Sequence, residues 1–345
     1  MKLLMITRKV DINDSRMGFF YQWVRAIGEK VEKLYVITWQ KSDRGELPAN
    51  IEIINLPQNK LLKIISLRFN TLRLLPKIDG IFCHMNPEYT ILIAPLPKIF
   101  GKKVVSWYTH SAVSFRSRLM EKLTDRILTA SKESFLLPSK KVLVTGHGID
   151  TKNFFPIDSA EPLKDNFDLL SVGRISPTKD YESMIKAVNI LSDQNIKNVR
   201  LKIIGEPALP EQQVYLDSLK QMVKVMKLEN QVEFLGSVQN ISLRKYFLDA
   251  DAVINLSGTG SLDKAVLEAM ACGRLVLTSN IAFKLILPPE LMVEQNQPKA
   301  LAERIEFLIN LSGEKKRQWQ NQLRQEVVNN HNLDNLIKKI IEQFS

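Results

Sequence analysis

Apolar positions along this chain follow two rhythms that take turns. Short, nearly continuous apolar runs alternate with longer stretches in which apolar residues return every three or four positions. A short run bounded by turn residues reads as a strand buried on both faces, and the longer rhythm reads as an amphipathic helix. Residues 2–7, 34–38, 51–56, 78–84, 103–107 and 141–145 are the strands predicted in the first half. Residues 17–30 form a predicted helix with Phe20, Trp23, Val24 and Ile27 along one stripe. Residues 61–75 form a basic amphipathic helix, where Lys60, Lys63, Arg68, Arg73 and Lys77 lie among Leu and Ile.

The alternation restarts after a turn-rich, proline-marked stretch, residues 148–156. Strands are predicted at 168–172, 200–205, 231–235, 252–256 and 275–279, and helices at 181–194, 211–227, 242–249 and 262–272. Two further helical segments, 298–311 and 314–344, finish the chain. Buried strands separated by helices give a doubly wound parallel sheet. The expected α/β architecture is therefore two Rossmann-like domains facing a central cleft, with ligands beyond the carboxyl ends of the strands.

Length agrees with this division, because 345 residues exceed one ordinary core. No apolar run reaches the roughly 18 residues that span a bilayer; the apolar stretch 89–100 is broken by Pro95 and Pro97. The start of the chain, opening into a strand-like run, lacks the layout of a signal peptide. Two cysteines, Cys83 and Cys272, are too few for a disulfide framework, and a reduced cytoplasm is the expected setting.

Charge changes the picture once it is divided. Residues 1–156 hold 25 Lys and Arg against 13 Asp and Glu, a balance of +12, whereas the remainder holds 23 against 24, a balance of −1. All the excess positive charge lies in the first half. That asymmetry points to an anionic partner there: a phospholipid surface, a lipid-phosphate acceptor or nucleic acid. Nothing resembles a nucleic-acid motif or a basic strip interleaved with aromatics, so nucleic acid is not expected.

Candidate chemistry gathers at the predicted strand ends of the second half. After the strand ending at Val172 come Gly173, Arg174 and Lys179, a tight turn with two cations suited to phosphate oxygens. Gly258, Thr259, Gly260 and Ser261 precede the helix predicted at 262–272, and amides at such a helix start suit a pyrophosphate. Glu268, two turns into that helix as predicted, can accept hydrogen bonds from vicinal ribose hydroxyls. The plain alternative for it is an i,i+4 surface ion pair with Lys264, worth about 0.2–0.5 kcal/mol. Gly236, Ser237 and Val238 follow another strand end, where backbone groups can meet a nucleobase edge. Asp249 and Asp251 have the spacing of a metal-binding pair, but their place between a helix and a strand suits a turn or cap better.

In this order and spacing, the segments LLSVGRISPTKDYESMIKAV, VEFLGSVQNISLRKYFLDADAVINLS and VLEAMACGRLVLTSN resemble the retaining GT-B-fold glycosyltransferases of family four, glycosyl transferases group 1. The resemblance covers essentially the whole chain and is strongest over residues 168–279. It implies a hexosyltransferase of the EC 2.4 class that moves a sugar from a nucleoside-diphosphate sugar to an acceptor hydroxyl with retention. A lipid-linked or cell-envelope glycan acceptor would suit the basic first half.

On the resemblance Arg174 and Lys179 hold the diphosphate, Glu268 holds the ribose, and Gly173, Gly236, Val238, Gly260, Ser261, Leu262 and Asp263 line the donor. His110 resembles a histidine near the reacting sugar. Arg16 and Gly18, with Asp11 and Asn13, occupy the loop after the first strand that approaches phosphates and acceptor. His84 and His147 are expected to be structural. The expected domains are an acceptor domain over 1–156, a donor domain over 157–330 and a terminal helix, 331–345, packing back on the first domain. No cofactor and no metal are expected.

One departure matters. The family carries a second glutamate eight positions before the ribose-binding one, and Gly260 stands there. The sugar contact is then expected from Asp263 or backbone amides. The open alternatives are a nucleotide-sugar epimerase of the same fold, or a non-catalytic nucleotide-sugar-binding protein.

Overall fold

The structure is a computed structural model that describes residues 1–14, 18–40, 42, 45–157, 165–196, 198–258 and 260–345. The chain divides into two compact units: Met1–Asp150 with Asn330–Ser345, and Thr151–Asn329. We refer to them as units 1 and 2.

In unit 1 the strands are β1 (Lys2–Thr7), β2 (Lys33–Thr38), β3 (Ile51–Asn55), β4 (Gly80–His84), β5 (Lys103–Trp107), β6 (Arg126–Thr129) and β7 (Val142–Val144). Among the described residues they form one parallel sheet ordered β3-β2-β1-β4-β5-β6-β7. Parallel strands need crossovers, and helices supply all but those from β2 to β3 and from β6 to β7, which carry no helix among the described residues. The helices are α1 (Gly18–Gly28), α2 (Lys60–Leu74), α3 (Pro87–Ile93), α4 (Leu96–Ile99) and α5 (Phe115–Leu123). Successive side chains of a strand face opposite sides of the sheet, so both faces must be covered. Leu4, Ile6 and Ile81 pack with Leu67 and Leu74 of α2 and Tyr89 and Ile93 of α3. On the other face Trp23 of α1 meets His84 and Trp107.

Unit 2 repeats the scheme with β8 (Phe167–Val172), β9 (Val199–Ile204), β10 (Val232–Gly236), β11 (Ala252–Asn255) and β12 (Leu275–Thr278). Their sheet is parallel and ordered β10-β9-β8-β11-β12. The helices are α6 (Tyr181–Asp193), α7 (Pro210–Val225), α8 (Leu243–Asp249), α9 (Lys264–Ala271), α10 (Pro298–Ile309) and α11 (Gly313–Asn330). The order reverses at β8, and in such sheets ligands sit beyond the strand ends at that point.

The last helix, α12 (Leu333–Glu342), belongs to unit 1. It packs on α1, and a bridge joins Ile149 to Asn332. The helical segment predicted over 314–344 is two helices, broken at His331 and Asn332. Asn332 caps α12 by accepting from the Asp334 and Asn335 amides. Three short helices, α3 to α5, and strand β6 were missing from the pattern. α3, α4 and β6 are brief, α3 and α4 carry prolines in their first turns, and α5 is rich in charged residues.

His84 and His147 are both buried. The His84 Nδ1 lies 3.0 Å from the Thr7 hydroxyl, and its ring stacks on Trp107. The His147 amide donates to His331 Nδ1 at 3.3 Å. Burial, with the nearby His147 adding to it, lowers the His84 pKa to about 3.

An unfolded imidazole titrates near 6.5, so below that pH the unfolded chain holds a proton that folded unit 1 refuses. The stability contribution is complete above pH 6.5 and is lost as pH falls, at about 1.4 kcal/mol per pH unit. Chemical unfolding at pH 7 and pH 5 should show the natural chain losing about 2 kcal/mol more than His84→Gln. Equal losses in the two proteins would contradict this account.

Candidate functional site in unit 2

The carboxyl end of β8 opens into a loop whose geometry depends on close backbone approach. The Gly173 amide donates to the Ile204 carbonyl at 2.9 Å, and the Tyr181 hydroxyl donates to the Gly173 carbonyl at 3.1 Å. Gly205, at the end of β9, presses so closely on Gly173 that a Cβ there would stand 1.8 Å from the Gly173 oxygen. Asp180 adopts a left-handed conformation and caps α6 by accepting from the Ser183 amide. Its other carboxylate oxygen accepts from the Asn296 amide at 2.7 Å. Lys179, the residue before it, is thereby aimed. Arg174 is exposed on the same loop.

Lys179 Nζ meets Asp263 Oδ1 at 2.8 Å, which joins the loop after β8 to the one after β11. The second Asp263 oxygen, Oδ2, is buried without a hydrogen-bond partner among the described residues. Asp263 sits at the N-cap of α9 but makes no side-chain cap. The helix begins two residues later than the pattern predicted, because the Asp263 backbone is extended. Gly258, Gly260 and Ser261 lie in the loop ahead of the helix rather than at its first turn, while Thr259 falls outside the described residues.

Glu268 is consequently in the second turn of α9, not two turns in, and is nearly inaccessible at 2% exposure. Its Oε1 accepts from Lys264 Nζ and from Asn240 Nδ2 at 2.9 Å. The ion pair with Lys264 exists, but it is no surface pair of a few tenths of a kcal/mol, since the carboxylate is desolvated. Asn240 follows β10, so the loops after β8, β10 and β11 are tied to one another through two carboxylates.

Gly236 ends β10 with φ +70°, at a break in the pairing register with β9. Val238 is half-buried in the turn that follows. Asn280 donates to the Ser261 carbonyl at 2.6 Å, and Gln295 donates to the Leu256 carbonyl at 2.6 Å. Asn240, Asn280 and Gln295 were not foreseen. Asn280 and Asn240 follow strands within the quoted segments, a signal that was available; Gln295 has no motif around it.

Asp251 is structural. Its carboxylate accepts from the Asp168 amide at 2.8 Å and lies 3.6 Å from Lys316 Nζ. Among the described residues no group of three or more His, Cys, Asp and Glu side chains is arranged to hold a metal ion.

Other predicted residues lie in unit 1. Arg16 falls outside the described residues, and Gly18 opens α1 with its amide on the Asp14 carbonyl at 2.8 Å. In that loop Lys9 bridges Asp11 and Asp14 at 2.9 and 2.8 Å, and the two carboxylates raise the Lys9 pKa. His110 is exposed after β5, stacked on Tyr108, and accepts the Ala112 amide on Nδ1 at 3.2 Å. With Nδ1 accepting, Nε2 is the nitrogen left to face a ligand. Tyr108, His110, Phe115 and Arg116 line a pocket of about 550 Å³ in this unit.

Two parallel doubly wound sheets with loops converging at a strand-order reversal define the GT-B glycosyltransferase architecture. Anabaena HepE, solved in complex with UDP and glucose, has the same fold, with a TM-score of 0.78 over 99% of each chain at 16% identity. Residues 154–326 match the family of glycosyl transferases group 1, and the chain belongs to that family.

Mannosylfructose-phosphate synthase of Agrobacterium fabrum is 27% identical over 173 residues, 48% of this chain and 38% of that protein. D-inositol 3-phosphate glycosyltransferase of Pseudarthrobacter chlorophenolicus is 28% identical over 141 residues, 39% of this chain and 33% of that protein. The chain thus matches between a third and two fifths of the length of these curated relatives.

Removing one partner of a buried ion pair leaves the other group poorly satisfied. Glu268→Ala should therefore cost unit 2 about 2 kcal/mol, a fall in its melting temperature of roughly 4–8 °C. Asn240→Ala, which removes only a hydrogen bond, should cost about half as much. Calorimetry on both variants measures the difference, and an unshifted Glu268→Ala would refute the buried pairing.

Proposed function

We propose that the chain transfers a hexose from a nucleoside-diphosphate sugar to an acceptor hydroxyl, retaining the anomeric configuration, as a family-four enzyme of the EC 2.4 class. Unit 2 is the donor domain and unit 1 the acceptor domain in this reading. The observation that carries it is the meeting of Lys179 with Asp263 and of Glu268 with Asn240 beyond one edge of the sheet, with Arg174 on the same loop as Lys179. The names of the relatives support the same class, one a synthase of a sugar phosphate and the other a glycosyltransferase of D-inositol 3-phosphate. The UDP bound to HepE supports it too.

Each side chain has a task in the proposal. Arg174 and Lys179 neutralise the diphosphate and the charge that builds on it as the glycosidic bond breaks, so no metal is required. Glu268, its Oε1 already held by Lys264 and Asn240, offers Oε2 to the ribose hydroxyls. Gly236 and Val238 flank the base, and Gly173, Gly260, Ser261 and Leu262 supply backbone along the phosphates and sugar. Asp263 takes the place of the missing glutamate: one oxygen orients Lys179 and the free Oδ2 accepts a donor-sugar hydroxyl. In unit 1, His110 positions the acceptor from its pocket, with Arg16 and Gly18 in the phosphate-facing loop. A lipid-linked or envelope glycan acceptor on the cytoplasmic side of a membrane fits the positive charge of unit 1.

A second reading, binding without transfer, is favoured by Gly260, which carries no side chain and has φ +69°. Product analysis separates the readings. Transfer to acceptor supports the proposal, intact donor despite binding supports the second reading, and an altered donor without acceptor indicates an epimerase. If Arg174 and Lys179 each contribute about 2.7 kcal/mol to the transition state, alanine at either should lower turnover at least 100-fold. Near-normal turnover in both variants would remove them from the mechanism.

A further inference from the structure

Helix α2 is apolar on two opposite faces. Leu67, Thr71 and Leu74 face inward, and Lys63 is buried with its ammonium 5.2 Å over the Trp39 ring. Opposite them Leu61, Ile65, Phe69 and Leu72 recur at spacings of four, four and three, and Leu62 adjoins them. All five are exposed, Leu61 to 67% and Phe69 to 64%. A helix with two opposite apolar faces calls for an apolar environment on both sides. Unit 1 covers only one of them. A contiguous exposed stripe of this kind marks an interaction surface.

The surrounding charge selects the partner. Lys60, Arg68, Arg73 and Lys77 are exposed around the stripe, and no Asp or Glu occurs between residues 59 and 78. At 15 residues α2 is about 22 Å long, shorter than the roughly 30 Å hydrocarbon core of a bilayer, so it suits lying along a surface rather than crossing one. Among the described residues no helix is long and apolar enough to cross a membrane.

A second copy of the chain fits poorly, because a two-fold contact would bring the same basic residues face to face. Nucleic acid would meet the cations but leave five large apolar side chains in water. An anionic bilayer satisfies both, with headgroup phosphates for Lys and Arg and acyl chains for Leu, Ile and Phe.

We infer that the outer face of α2 is a membrane-docking surface, with Leu61, Ile65, Phe69 and Leu72 entering the interface of an anionic phospholipid bilayer. Docking rests on unit 1 alone and does not depend on the donor-site reading.

Sedimentation of the full chain with phosphatidylcholine vesicles, or with vesicles mixed equally with phosphatidylglycerol, tests it. Binding to the mixed vesicles should be at least about tenfold tighter than to the neutral ones and should weaken with salt. The triple variant Leu61→Ser, Ile65→Ser, Phe69→Ser keeps every charge and should lose at least about tenfold in vesicle affinity. All three positions are exposed, so an unchanged melting temperature and circular dichroism spectrum accompany that loss. Absence of vesicle binding by the natural chain would overturn the inference, as would equal binding by the triple variant. So would a dimer that the triple variant abolishes without any binding to vesicles. A donor-binding thermal shift in the triple variant reads the other unit separately.

Discussion

Parallel strand pairing is the constraint from which the rest of both units follows. A parallel pair cannot be closed by a tight turn, so every strand is followed by a crossover, and every crossover leaves from the same edge of the sheet. In unit 2 that edge collects the loops after Val172, Gly236 and Asn255, far apart in sequence but neighbours in space. Loops so gathered bring unpaired amides, glycines and short polar side chains together where no strand follows to satisfy them. Chemistry accumulates there because the hydrogen-bonding pattern of the sheet ends there.

Two carboxylates then fix the edge. Asp263 and Glu268 stand five residues apart on one loop and helix, and each reaches a different neighbour: Lys179 beyond β8, and Asn240 beyond β10. Each is thereby held in a single orientation with one oxygen committed and one left over. Side chains fixed before a ligand arrives lose little freedom on binding, which is the physical meaning of preorganisation. Asp180 extends the arrangement by tying the start of α6 to the backbone at Asn296.

The alternation of buried strands and helices was legible in the sequence because parallel strands covered on both faces leave nearly unbroken apolar runs. The contact between Lys179 and Asp263 lies beyond any local pattern, since 84 residues separate the two. What escaped notice has physical causes. Helices α3 and α4 span two turns or fewer and carry prolines in their first turns, α5 is rich in charged residues, and β6 is four residues long. The true start of α9 depended on the extended backbone of Asp263, whose side chain is held by Lys179 from another loop. The partners of Glu268 were partly within reach, as Lys264 lies four residues away on the same helix. Its burial was not, because a Glu among alanines and leucines reads equally as a surface residue.

Gly260 shows how a backbone conformation can decide which side chains a position accepts. Its φ of +69° lies where a residue bearing a Cβ is strained. Placing a glutamate there by a single substitution would therefore set the new carboxylate on a backbone that resists it. The loop would have to be rerouted and the residue exchanged together, two changes neither of which gains anything alone. The curl of one glycine thus bars an acidic side chain from this position for as long as the loop keeps its present path.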